Sequence, residues 1–500
     1  MEEKIERLKE ILHEIADLSH ASALLDWDQR VNMPPGSAQD RGTQLATIEK
    51  LVHQKATKEE LGKLLEDLSK YVKQLDPDSY DARLIKVAKR NYNKSTKVPT
   101  EWVGEFAKEK TLATSVWEKA KPKSDFNSFQ PHLEKLVALR RQYADFFKPY
   151  DHVYDPLLDD FEPGMKTAEV QAIFNELRPK QVELIKTISQ QPQVDNSFLY
   201  LNYPKEGQLK FGKEIITDYG YDWNRGRQDL SAHPFTTSFG LNDVRITTRL
   251  HPKFLNTALF GTLHECGHAL YEQGIDQALN RTPLADGASM AVHESHSRMW
   301  ENLIGRSYPF WKKFYSRLQE IFPSQLGNVD LDTFYKGINK VEPSLIRVEA
   351  DEATYNLHIM LRLELEIALM EGSITPTELP DAWNTKMKDY LGIVPPNDAK
   401  GVLQDVHWSA GMFGYFPTYA IGNLISAQLW EVMQNDNPEV EKQIEQGNFK
   451  EILAWLREHV HRHGAKFEPQ ELVEKVTGSK INSSAYIRYL KNKFGAIYNL

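Results

Sequence analysis

The chain has 500 residues, 41% hydrophobic, 26% charged and 11% aromatic, a globular composition long enough for one large core or for two to three ordinary ones. Its 70 acidic and 61 basic residues leave a formal net charge of -9, which argues against nucleic acid or an anionic membrane as the main partner. A single cysteine, Cys266, excludes an intrachain disulfide and favours a reducing, cytoplasmic setting.

The opening "MEEKIERLKEILHEIADLSH" is charged throughout and lacks the apolar run of a signal peptide. Ile5, Leu8, Ile11, Leu12 and Ile15 fall at helical spacing, so it reads as an amphipathic helix. "NMPPGS", 32–37, is a turn, and the residues up to about 120 continue as several charged amphipathic helices. Strand signals concentrate in "HPFTTSFGLNDVRITTRL", 233–250, where two β-branched and aromatic runs flank "LND" and predict a hairpin. Helical patterning resumes past residue 251 and includes a predicted long helix near 344–371, stopped by Gly372. From Trp408 to Trp430 no residue is charged, but Pro417, three glycines, Asn423 and Gln428 argue for a buried loop and helix, not a membrane span. No composition shift marks a boundary, so residues 1–500 read as one mainly helical unit.

Chemistry concentrates in "GTLHECGHALYEQG", 261–274. On a helix His264 and His268 lie about 40° apart, close enough for both imidazoles to reach one ion, with Glu265 beside them. Leu255, Leu259, Leu263, Cys266 and Leu270 gather on the other side, so Cys266 is a small core residue and not a ligand. Gly261, one turn before His264, leaves space on the histidine face. A catalytic zinc site takes three protein ligands and keeps one position open. Glu272 continues the stripe but sits about 12 Å along the axis from His264, too far for a straight helix to bring it in. The next predicted helix, 285–305, has Val292, Met299, Trp300 and Leu303 on its apolar side together with His296, and carries Glu294 and Glu301 opposite. Glu294 is the expected third ligand; Glu301 is its competitor or a supporting carboxylate.

These residues, with "HPF" at 233–235, "DVRIT" at 243–247, "HES" at 293–295, "IRVEAD" at 346–351, "GVLQDVHW" at 401–408 and "LLDWDQRVNMPPG" at 24–36, resemble the thermostable carboxypeptidase 1 (carboxypeptidase Taq) family of zinc metallocarboxypeptidases. The resemblance spans essentially the whole chain. It implies a mainly helical, neurolysin-like fold with a deep groove, residues up to about 120 forming one wall, a cytoplasmic homodimer, and one Zn2+ per chain that Co2+ or another divalent ion can replace. It implies removal of single residues from peptides bearing a free C-terminal carboxylate. His264, His268 and Glu294 would be the ligands and Glu265 the catalytic glutamate. Similarity to related helical zinc peptidases makes His407 and Tyr419 the donors to the carbonyl oxygen, with Tyr415 a further candidate. An exopeptidase needs a cation for the terminal carboxylate, and Arg347 and Arg245 are the candidates. Asp351, four residues after Arg347, offers the simpler reading of that arginine as half of a helix ion pair. The hairpin could add a strand to bound peptide, placing His233 near the cleft. An oligopeptidase of the same class, or a scaffold stabilised by structural zinc, are the alternatives; one cysteine fits the latter poorly.

Overall fold

The computed structural model describes residues 2–500, and helices dominate it. Four of them open the chain: α1 (Glu2–Val31), α2 (Ala38–Ala56), α3 (Glu59–Tyr71) and α4 (Tyr80–Lys97). The periodicity read in the first residues is the buried face of α1, where Ile5, Leu8, Ile11 and Leu12 are covered and Ile15 is partly so. They pack on Leu61, Leu65 and Leu68 of α3 and on Leu84, Ile85 and Val87 of α4, each full burial contributing about 1.5–3 kcal/mol. Ile275, Leu279 and Leu284 join this small core and tie it to the chain just past the two histidines. α2 follows the turn at Pro35–Ser37 and buries none of its residues fully.

The hairpin is present, and it belongs to a three-stranded sheet. β2 (Thr236–Ser238) runs antiparallel to β3 (Val244–Thr248), with Thr236 opposite Ile246 and Ser238 opposite Val244. β1 (Gln228–Leu230), which the sequence did not announce, pairs parallel on the other side of β3. Val244 and Ile246 are buried beneath the helix Leu255–Gly274, here called the histidine helix. That helix, the glutamate helix Met290–Arg298, and the helices Tyr355–Glu371 and Pro417–Asp436 are threaded through the main apolar core. The uncharged stretch from 408 is a loop followed by a buried helix that starts at Pro417, where the absent N–H costs nothing. No helix among the described residues is long and apolar enough to cross a membrane.

Two helix expectations are corrected. The helix foreseen over 344–371 starts only at Tyr355, and Arg347–Glu349 is a single 3-10 turn. Asp351 is responsible: its carboxylate accepts the N–H of Ala353 at 2.9 Å, of Thr354 at 3.0 Å and of Glu342 at 3.0 Å, folding the chain back before the helix begins. Asp351 therefore serves the backbone and is not the partner of Arg347. The helix foreseen over 285–305 is regular only from Met290 to Arg298 and widens into a π-helical turn, Met299–Ile304.

Candidate metal centre

The histidine helix approaches the glutamate helix so closely at Gly267 that a Cβ there would stand 2.6 Å from Cα of Ser297. The glycine inside "HECGH" thus sets the spacing that brings His264 and His268 up to Glu294. Gly422, on the Pro417–Asp436 helix, does the same from the other side, since a Cβ would lie 2.7 Å from Cγ of Glu294. One turn before His264 the space over Gly261 is open: its own chain neighbours and helix backbone aside, no described atom lies within 4 Å of the point a Cβ would occupy. Cys266 is fully buried on the opposite face, as its position predicts.

Nε2 of His264 lies 3.5 Å and Nε2 of His268 3.4 Å from Oε2 of Glu294, and these ligand atoms all fall within 4.8 Å of one another. Donors about 2.0–2.1 Å from a tetrahedral zinc stand roughly 3.3–3.4 Å apart, and both histidine–glutamate distances are close to that spacing. Both imidazoles have their other nitrogen engaged, which turns Nε2 inward. His264 Nδ1 is 2.9 Å from Oε2 of Glu301, and His268 Nδ1 is 2.6 Å from Nδ1 of His293, whose Nε2 meets Glu272 at 3.0 Å. Glu272 thus stands outside the ligand set, as its distance along the helix requires, and supports it through His293. The wider π turn carries Glu301 to His264, a use of such turns that recurs at functional sites.

Arg298 closes the arrangement, donating Nε to Oε1 of Glu294 at 2.6 Å and leaving Oε2 for the histidines; the Ser297 hydroxyl also lies 3.0 Å from Oε2. Burial works against the Glu294 carboxylate, but Arg298 and His264 outweigh it and hold its pKa well below the usual range. Burial pushes His268 down to about 4, whereas His264 is raised because Glu294 and Glu301 overcome the same penalty. Two nitrogens and one ionised oxygen, three donors in all, fit a divalent ion that keeps a position open.

Glu265 is buried beside these ligands, and Oε2 lies 2.7 Å from the hydroxyl of Thr236, the first residue of β2. Burial raises its pKa against the pull of His264 and Thr236. The sheet is therefore part of the site, and Thr236 is a residue that sequence patterning missed.

The sequence profile of the carboxypeptidase Taq (M32) metallopeptidases matches residues 7–494. The chain belongs to that family. It is 42% identical to thermostable carboxypeptidase 1 of Thermus thermophilus, over 99% of this chain and 98% of that one, and 40% identical to carboxypeptidase 1 of Bacillus subtilis, over 98% of each. Among solved structures, the M32 carboxypeptidase of Deinococcus radiodurans superposes with a TM-score of 0.97 at 41% identity, over 99% of this chain and 100% of that one. Metallocarboxypeptidase 1 of Trypanosoma cruzi gives 0.94 at 33% identity, with the same coverage.

In this M32 chain the other expected residues divide into two groups. His407, Tyr415, Tyr419 and Arg347 lie together. His407 Nε2 is 3.3 Å from the Tyr419 hydroxyl, the rings of Tyr415 and Tyr419 meet at 5.2 Å, and the Arg347 guanidinium sits 4.9 Å over the Tyr419 ring. Gly414 makes this loop possible: its φ is +97°, and a Cβ would come within 2.2 Å of the Leu157 carbonyl oxygen. Burial, reinforced by Arg347, lowers His407 to about 3, and burial raises Tyr415 to about 12 and Tyr419 well above 10. At neutral pH all three carry their protons as neutral groups.

Arg245 and His233 form the second group, on the sheet. Arg245 is held by both oxygens of Asp243 at 2.8 Å, with Trp27 and Phe239 stacked on it at 4.5 and 4.8 Å. Arg30 lies over Phe235 in the same way, so the end of α1 is clasped to the sheet by cation–π contacts. His233 is exposed, and its side chain makes no hydrogen bond among the described residues.

Proposed function

We propose that this M32 chain is a zinc carboxypeptidase that removes single C-terminal residues from peptides, with His264, His268 and Glu294 as ligands. The observation that carries this reading is the convergence of the two Nε2 atoms on Oε2 of Glu294 next to a buried, hydroxyl-held Glu265. A divalent ion held there supplies Lewis acidity toward the scissile carbonyl and toward water. Co2+ or another divalent ion would serve the same donor set.

Glu265 takes the proton of the attacking water and returns it to the departing amine, and its raised pKa suits a group that must do both. Thr236 keeps the carboxylate aimed while leaving its other oxygen free. Tyr419 and His407, both protonated and neutral, donate to the carbonyl oxygen as charge builds on it; Tyr415 stands beside them as a further donor. Arg347 takes the substrate's terminal carboxylate, which explains why a free C-terminus would be required. Arg245 and His233 belong to the wall over the peptide chain, and Trp27 and Arg30 make the N-terminal helices the side of the groove against which that wall is braced.

The single cysteine supports a cytoplasmic location, and the family resemblance supports a homodimer. Peptides are the partners this chemistry asks for, and neither nucleic acid nor membrane has a role in it. The test is a digest of defined peptides followed by mass spectrometry, with metal measured in the same sample. Ladders losing one C-terminal residue at a time are expected, with one equivalent of zinc per chain; internal cuts would instead establish an oligopeptidase.

A further inference from the structure

Behind Tyr419 two buried arginines share one carboxylate. Arg347 and Arg362 are 6% and 0% exposed, and Asp405 is the acid both of them reach. Each guanidinium takes one oxygen of it, Arg362 at the shorter distances. Its Nε and Nη2 donate to Oδ2 at 2.8 and 2.6 Å, Nη2 also donates to Oε1 of Gln404 at 2.8 Å, and Nη1 is spent on the His358 carbonyl at 2.6 Å. Arg347 has only Oδ1, at 3.0 Å from Nε and 2.9 Å from Nη2, with Nη1 donating to the Tyr355 hydroxyl at 2.9 Å. Of the five N–H groups of the Arg347 guanidinium, two at the Nη end have no acceptor among the described residues.

The charges do not cancel. Two guanidinium groups stand against one carboxylate. Burial and the arginines hold both nearby imidazoles, His358 and His407, neutral, so they neither add to nor offset the excess. An unmatched charge out of water is unfavourable unless an anion completes it. If Arg362 were absent, Asp405 could turn both oxygens to Arg347 and make an ordinary bidentate pair with no call for a further anion.

We infer that Arg362 is a positioning residue for terminal-carboxylate recognition: by occupying Oδ2 of Asp405 it keeps Arg347 half-neutralised and available to the substrate. This rests on the reading of Arg347 as the carboxylate site. Gln404 and Asp405, the pair shortly before His407 in "GVLQDVHW", are then the hinge that couples that site to the donor His407.

Full-length, metal-loaded Arg362→Met, Arg362→Lys and Arg362→Met/Asp405→Asn would be compared on one peptide and its C-terminal amide, beside Arg347→Met. Arg362→Met should raise KM for the free acid about tenfold or more, with kcat within about twofold and the amide unaffected, because only ground-state carboxylate binding is weakened. Lysine should restore most of the loss. The double variant should recover it too, since removing the acid along with its arginine again leaves Arg347 short of a counter-ion, whereas a merely structural role predicts a second insult. An unchanged KM in folded Arg362→Met, or a double variant as poor as Arg347→Met, would overturn the inference. Should the methionine variant not fold, the double variant's KM alone decides in the same sense. If Arg347→Met treats acid and amide alike, it is the carboxylate site itself that falls.

Discussion

The hydroxyl of Thr236 lies 2.7 Å from Oε2 of Glu265 and 2.9 Å from the same residue's carbonyl oxygen, so its single proton, shared between these two acceptors, ties the first residue of β2 to the proposed base. That contact limits the rotamers of a buried carboxylate that, as the proposed base, would meet water and amine in turn. Glu265→Gln should keep its metal and lose about 10²–10⁴-fold in kcat, because the proposed ligands remain and only the proposed base is gone. Thr236→Val should keep the zinc and lose about tenfold, a positioning loss well short of losing the base. Rates on metal-replete protein check both, and a glutamine variant near full activity would remove Glu265 from this role.

Metal content distinguishes Glu294 from its competitor. Glu294→Ala deletes one of three donors and should strip the ion, while Glu301→Ala removes no donor, only the acceptor shared by His264 Nδ1, Arg298 and Arg306, and should weaken binding about 10–100-fold. Elemental analysis after dialysis against a graded chelator decides it. A fully loaded Glu294→Ala protein would mean the third ligand lies elsewhere.

Substrates without a terminal charge should be poor. An amide leaves Arg347 without its anion, a loss on the order of 2–4 kcal/mol in a dry site. Arg347→Ala should therefore lower kcat/KM on free acids far more than on amides, and it should retain zinc. Equal cleavage of amide and acid by the unmodified protein would contradict carboxylate recognition.

Stability should fall as pH rises through neutrality, and Glu162 is one cause. Its side chain is fully buried, with Oε1 accepting the Ala291 N–H at 2.6 Å, and burial lifts its pKa from 4.5 to about 8. The folded value lies above the unfolded one, so this group's contribution is complete below about pH 4.5 and is lost progressively up to pH 8. Glu162→Gln should flatten that slope by up to about 1.4 kcal/mol per pH unit. Urea unfolding between about pH 5 and 8 measures it, and identical slopes in the two proteins would exclude Glu162 as the source.

Local spacing determined a good deal on its own. The four-residue step from His264 to His268, the opposite placement of Cys266 and the buried face of α1 are all readable because a helix repeats every 3.6 residues. Glu294 could be put forward as a ligand from the sides of its predicted helix, a division the fold does not keep, since Glu294, Ser295 and Ser297 are buried along with Val292. Beyond that reach, only the folded chain could decide. Thr236 meets Glu265 across 29 positions, and Arg347 passes over Asp351 for Asp405, 58 positions away. The π turn that brings Glu301 to His264 breaks the very repeat from which helix faces are read. Periodicity says which side of an element a residue occupies; its partner across the core depends on the path of the whole chain, and on glycines such as Gly267 that let two backbones close to contact.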